Sequence, residues 1–156
     1  MFKRTVIAIV LGLSLCFCAH ASMVSFCVVE TGVPENVDER RQSLFWENAF
    51  MDVFFDAGYI ISNAPILRLG GRPSGEIIRE FDVTELRRAG IDFMIIARLD
   101  YNADLTLSDV SFFVYKVTPE NKIYERQLDT MPPKNEKDEY TFMKSIARGL
   151  IRYIND

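Results

Sequence analysis

The run Phe93-Met-Ile-Ile-Ala97 constrains this chain most, because five consecutive apolar residues cannot alternate between a core and water. In an extended segment Phe93, Ile95, Ala97 and Leu99 fall on one face, and Met94, Ile96, Arg98 and Asp100 fall on the other. Both faces start apolar. Ile91 to Tyr101 is therefore expected to be a central strand of a covered sheet.

The flanking patterns say what covers it. Val24 to Val29 is rich in β-branched and aromatic residues and reads as a second buried strand, closed by the turn-prone Thr31 to Asn36. From Glu39 to Ala57 there is no Gly or Pro, and Trp46, Ala49, Phe50, Val53 and Ala57 recur at helical spacing before Gly58 stops the helix. Tyr59 to Ser62 reads as a short strand and Asn63 to Gly75 as a long loop or irregular crossing. Asp82-Val-Thr-Glu85 has the form of a capping box, opening a short helix that Gly90 ends.

Val110 to Val117 and Ile123 to Thr130 are expected as a hairpin turned by Thr118 to Lys122, the second strand amphipathic and near an edge. Pro132 and Pro133 bar further sheet, and a last helix is expected over Glu136 to Ile154. Its acids Glu136, Asp138 and Glu139 come first and its bases Lys144, Arg148 and Arg152 later, as a helix dipole favours. Met143, Ile146, Ala147, Leu150 and Ile154 make its buried stripe. The order β-α-β-α-β-β-β-α predicts an α/β (α+β) sandwich with one mixed sheet of about five strands, a single domain over residues 22–156.

The first residues read differently. Lys3-Arg4, the apolar run Val6 to Phe17 and the A-x-A site Ala19-His20-Ala21 form the pattern of a secretory signal peptide over residues 1–21, cleaved after Ala21. The apolar run is shorter than the roughly 20 residues a spanning helix needs, and no later segment approaches that length. A periplasmic or secreted protein without a transmembrane segment is expected. A lipid anchor at Cys16 or Cys18 is disfavoured, since Leu15 and Phe17 are bulky where such a site wants a small residue.

Removing 21 of 156 residues leaves 135, and losing Lys3 and Arg4 moves the net charge from −4 to −6. The chain's one histidine, His20, goes too. Without imidazole there is no Ser-His or Cys-His nucleophile and no common zinc-hydrolase site. Cys27 is then the only cysteine, and its place in Met23-Val-Ser-Phe-Cys-Val-Val29 suits a packed strand.

The series of an apolar strand, a long helix ending in Ala57-Gly-Tyr59, the segment Asp82-Val-Thr-Glu-Leu-Arg-Arg-Ala-Gly-Ile-Asp-Phe-Met-Ile-Ile-Ala97, an amphipathic hairpin and a closing helix resembles one group of envelope proteins. This is the small periplasmic domain shared by the TolB amino-terminal domain, the curli-secretion lipoprotein CsgG and the penicillin-binding-protein activator LpoB. Ala97 stands where that group usually has glycine. The resemblance spans most of residues 23–154 and rests on structural punctuation. It implies an adaptor or assembly role in the envelope, with another envelope protein or a second copy as partner.

The remaining constellations carry little chemistry. Gly70-Gly-Arg-Pro-Ser-Gly75 lacks the Gly-Lys-Ser/Thr ending and the G-x-G-x-x-G spacing of phosphate loops, and Pro73 removes a donor, so a flexible connection is expected. Asp100, Asp104 and Asp109, with Asn102 among them, lack the calcium-loop spacing and are expected as solvated turn carboxylates. Lys144, Arg148 and Arg152 form a basic ridge, but the acidic balance argues against nucleic acid. No catalytic residue, cofactor or metal ligand is expected. The alternative classes are a carboxylate-based hydrolase and a small-ligand or metal-binding module.

One surface stands out. On the first helix Leu44, Met51 and Phe55 gather into a narrow second stripe beside the core-facing one, flanked by Glu47, Asn48 and Asp52. The plainer expectation is that the crossing from Pro65 to Leu69 covers it. Uncovered, it is a partner surface.

Overall fold

In the computed structural model the described residues are 21–33, 41–133 and 135–155. The export segment up to His20, with Cys16 and Cys18, lies outside them, as do the turn residues 34–36 and the expected helix start at Glu39 and Arg40.

Strand β1 (Met23–Thr31) is followed by helix α1 (Arg41–Asp56), strands β2 (Ile60–Asn63) and β3 (Leu67–Leu69), and helix α2 (Val83–Arg88). Then come β4 (Phe93–Tyr101), β5 (Leu107–Lys116), β6 (Asn121–Gln127) and helix α3 (Glu136–Asn155). The six strands form one sheet in the order β2-β1-β4-β5-β6, with β3 also on β1. Strands β2, β3 and β4 run parallel to β1, β5 pairs antiparallel with β4, and β6 pairs antiparallel with β5. The two-faced apolar segment is central, as its pattern requires.

Each sheet face has its own core. On one, Val24, Phe26, Val28, Ile95, Ala97, Leu99, Val110 and Phe112 pack beneath Trp46, Phe50 and Phe54 of α1 and Met143, Ala147 and Leu150 of α3. On the other, Cys27, Val29, Met94, Ile96, Phe113 and Tyr115 lie under Ile77 and Ile78 of a single 3-10 turn, with Val83 and Leu86 of α2 packed alongside. The expected stripe of α3 is buried except for Ile146, which is half-buried. Asp82 caps α2 through Oδ1, which accepts from the backbone N–H of Thr84 at 2.9 Å and of Glu85 at 3.1 Å.

Asn63 to Gly75 is not one loop. β2 is only four residues long against nine in β1, so Val29 to Thr31 would lack an edge partner; Leu67 to Leu69 supply it. The strand ends where Gly32, at φ +77°, donates to the Leu69 carbonyl at 3.2 Å. A Cβ there would sit 2.4 Å from the Tyr101 carbonyl oxygen, so only glycine fits. Among the described residues no helix is long and apolar enough to cross a membrane.

Candidate functional site

Helix α1 has two apolar faces because its sequence is apolar round most of its circumference. Trp46, Ala49, Phe50, Val53 and Phe54 enter the core. At about 100° per residue, Leu44, Met51 and Phe55 fall within a narrow arc on the outer side. Leu44 is 36% exposed and Phe55 73% exposed, with Met51 half-buried.

The expected cover does not form. Leu67 and Leu69 pack with Cys27 and Val29 on the opposite sheet face, and Pro65 is itself exposed. Pairing with β1 dictates this, since the alternation of β3 sends both leucines to the second core. Ile60, at the start of β2, is 54% exposed too, but it is the register partner of Met23, which packs on the second core, so it faces away from the stripe.

The polar flank of the stripe is fixed to α3. Asp52 accepts from the Tyr140 hydroxyl at 2.8 Å and pairs with Lys144 Nζ at 2.7 Å. Hydrogen bonds from Lys144 and then Tyr140 hold the Asp52 carboxyl below its ordinary range. Burial, followed by the neighbouring Asp52, pushes the Tyr140 phenol up to about 12. These contacts bound a groove of about 730 Å³ between Phe45, Asn48 and Asp52 of α1 and Glu136 and Tyr140 of α3. The Arg41 guanidinium lies 4.7 Å over the Phe45 ring and pairs with Glu136.

The expected basic ridge is broken by the same contacts. Lys144 is paired with Asp52, Arg152 stacks on Tyr153, and only Arg148 of the three has no such neighbour among the described residues.

A second assembly lies at the carboxyl ends of β1 and β4. Asp100 is 4% exposed and Asp109 8%, so neither is a solvated turn carboxylate; they are cross-strand partners of β4 and β5. Asp104 is exposed, and its carboxylate accepts from the Thr106 N–H at 3.1 Å and hydroxyl at 2.7 Å. Those bonds hold it below the ordinary carboxylate range.

Burial of Asp100 and Asp109 is possible because cations reach them. Arg72 Nη2 stands 2.7 Å from Asp100 Oδ2 and 3.5 Å from Asp109 Oδ2. Arg98 Nε lies 3.3 Å from Asp100 Oδ1, Thr31 donates its hydroxyl to the same oxygen, and Gln127 donates to Asp109 at 2.7 Å. The glycine-rich segment is thus the strap that carries Arg72 over two buried acids, and not merely a flexible connection.

Glu30, unremarked in the sequence, is fully buried in the same region. Arg68 Nε is 2.9 Å from its Oε2, and the Ser43 hydroxyl donates to Oε1 at 2.5 Å. Glu30, Asp100 and Asp109 each have a guanidinium within 4 Å, although Asp100 Oδ2 and Arg98 Nε make no well-aligned hydrogen bond. Such an arrangement ties the strand ends together. Among the described residues no group of three or more His, Cys, Asp or Glu side chains is placed to hold a metal.

Cys27 is buried, its thiol donating to the carbonyls of Val28 and Pro65 at 3.4 Å each. Burial pushes that thiol up to about 12, so it stays protonated and inert at neutral pH.

No protein-family model matches the chain, and no curated protein does. Among solved structures it is similar to TolB from Acinetobacter baumannii, at 13% identity and a TM-score of 0.45, over 84% of this chain and 28% of that one. The chain therefore spans under a third of that protein's length. It is also similar to PelC from Paraburkholderia phytofirmans, solved as a dodecamer in two crystal forms, at 12% identity and TM-scores of 0.47 and 0.45. Those matches cover 86% and 85% of this chain and 90% and 87% of the other. All three likenesses are at the level of the fold.

Proposed function

We propose that this chain is an exported protein of the bacterial cell envelope that works through protein contact, as an adaptor or an assembly or regulatory factor, and catalyses no reaction. The observation that carries this reading is the outer stripe of α1. Phe55 at 73% exposure, with Leu44 and Met51 on the same arc, is costly to leave in water. A partner that covers the stripe turns that cost into binding free energy. The partner is another envelope protein or a second copy of the chain.

Export rests on Lys3-Arg4, the apolar run and the site at Ala21. The mature chain should begin at Ser22, and intact mass measurement of the exported protein checks it. A mass carrying acyl chains on Cys16 or Cys18 would instead make it a lipid-anchored protein.

A carboxylate-based hydrolase is the weaker reading, because Glu30, Asp100 and Asp109 are engaged by Arg68, Arg72 and Arg98. The contact reading is tested by the double substitution Met51→Gln and Phe55→Gln. Both new residues keep helix propensity, so the melting temperature should hold while association is lost. A large drop in melting temperature would show that the stripe is packing.

A further inference from the structure

On the sheet face opposite α1 a cavity of about 300 Å³ opens between α2 and the β1–β2 pair. Its walls are apolar, built from Phe81 and Leu86 on the helix side with Ile91 and Pro65 completing them. Its lining also holds two hydroxyls. Ser25 and Ser62 are direct register partners across β1 and β2, so their side chains share this face.

Ser25 is only 3% exposed, yet neither its hydroxyl nor that of Ser62 has a hydrogen-bond partner among the described residues. A buried strand position facing an apolar wall is where valine or cysteine belongs, and Cys27 occupies the next such position on the same face. The Ser25 residue is otherwise buried, and its unpaired hydroxyl opens onto the cavity, where a group that enters can take up its hydrogen bond.

We propose that this cavity binds a small neutral molecule with an apolar body and one hydroxyl or carbonyl head. Phe81, Leu86 and Ile91 take the body, and Ser25 with Ser62 takes the head. An ionised head is disfavoured because the serines offer no counter-charge. Anions are excluded further by Asp82 and Glu85, the only charged side chains lining the cavity among the described residues. The site lies on the other sheet face from the α1 stripe and stands whether or not that stripe binds a partner.

Phenol, toluene and benzoate are the probes, titrated into the full exported chain and followed by backbone amide NMR. Phenol should shift the amides of Ser25, Ser62, Ala89 and Ile91 saturably, toluene should bind more weakly, and benzoate should leave those amides unmoved. Ser25→Ala should weaken phenol about tenfold, the worth of one hydrogen bond, while leaving toluene unchanged. Ser62→Ala, at a less buried position, gives the same readout should Ser25→Ala fail to fold. Absence of saturable shifts at these amides with phenol would overturn the proposal, and so would serine-to-alanine variants that bind phenol as tightly as the parent.

Discussion

Trp46→Ala is expected to lower the unfolding free energy by about 3–5 kcal/mol, read from the midpoint of chemical denaturation. Trp46 is fully buried where α1, α3 and the sheet converge, its ring 5.0 Å from that of Phe112, 6.1 Å from Phe50 and 6.5 Å from Phe142. Truncation removes the contact that joins both large helices to β5, and rings on three sides cannot all collapse into the space. Trp46→Phe separates packing from polarity. The indole Nε1 has no hydrogen-bond partner among the described residues, so phenylalanine loses no hydrogen bond and relieves an unpaired buried donor. Its cost should be well under half that of alanine.

Glu30→Ala should cost about 3 kcal/mol by the same measurement, the low end for breaking a buried ion pair. Glu30 is fully buried on β1, where it accepts from Ser43 of α1 and pairs with Arg68 of β3. One carboxylate thus fastens the helix and the added edge strand to the same point. Its loss leaves the Ser43 hydroxyl, also fully buried, without its acceptor. The Arg68 side chain is 18% exposed, so water can reach it and soften the penalty. Glu30→Gln keeps an acceptor for Ser43 and should cost less. Equal losses for the two variants would show that the charge, and not the hydrogen bond, dominates.

What was legible in the sequence follows from the range of each interaction. Phe93 to Ala97 announced a central strand because covering on both faces is a local pattern, and the amphipathic β6 announced an edge in the same way. Asp82 announced its cap within three residues. Leu67 to Leu69 did not announce a strand: three residues between Pro65 and Gly70 carry almost no periodicity, and what makes them a strand is the unpaired edge of β1.

The functional surfaces divide along the same line. Helical geometry placed Leu44, Met51 and Phe55 on one stripe, but their exposure depends on where the chain goes after Pro65. That is a tertiary fact. Asp100 and Asp109 looked like turn residues because acids after a strand usually meet water; Arg72, far back in the chain, lets them be buried. Glu30 ends an apolar run, which was the available signal that a charge was being drawn inside. Ser25 and Ser62 become a pair only through the register of β1 and β2.

The central claim is that the stripe on α1 meets another protein. Its most direct measurement places a photo-activated cross-linking side chain at position 55 in the full-length exported protein and compares it with the same side chain at Glu80, an exposed position on the opposite sheet face. A contact surface on α1 gives a discrete envelope adduct from position 55, of twice the chain mass or of one distinct larger species, which Met51→Gln abolishes without moving the melting temperature. No adduct from position 55, or the same adducts from both positions, would contradict it.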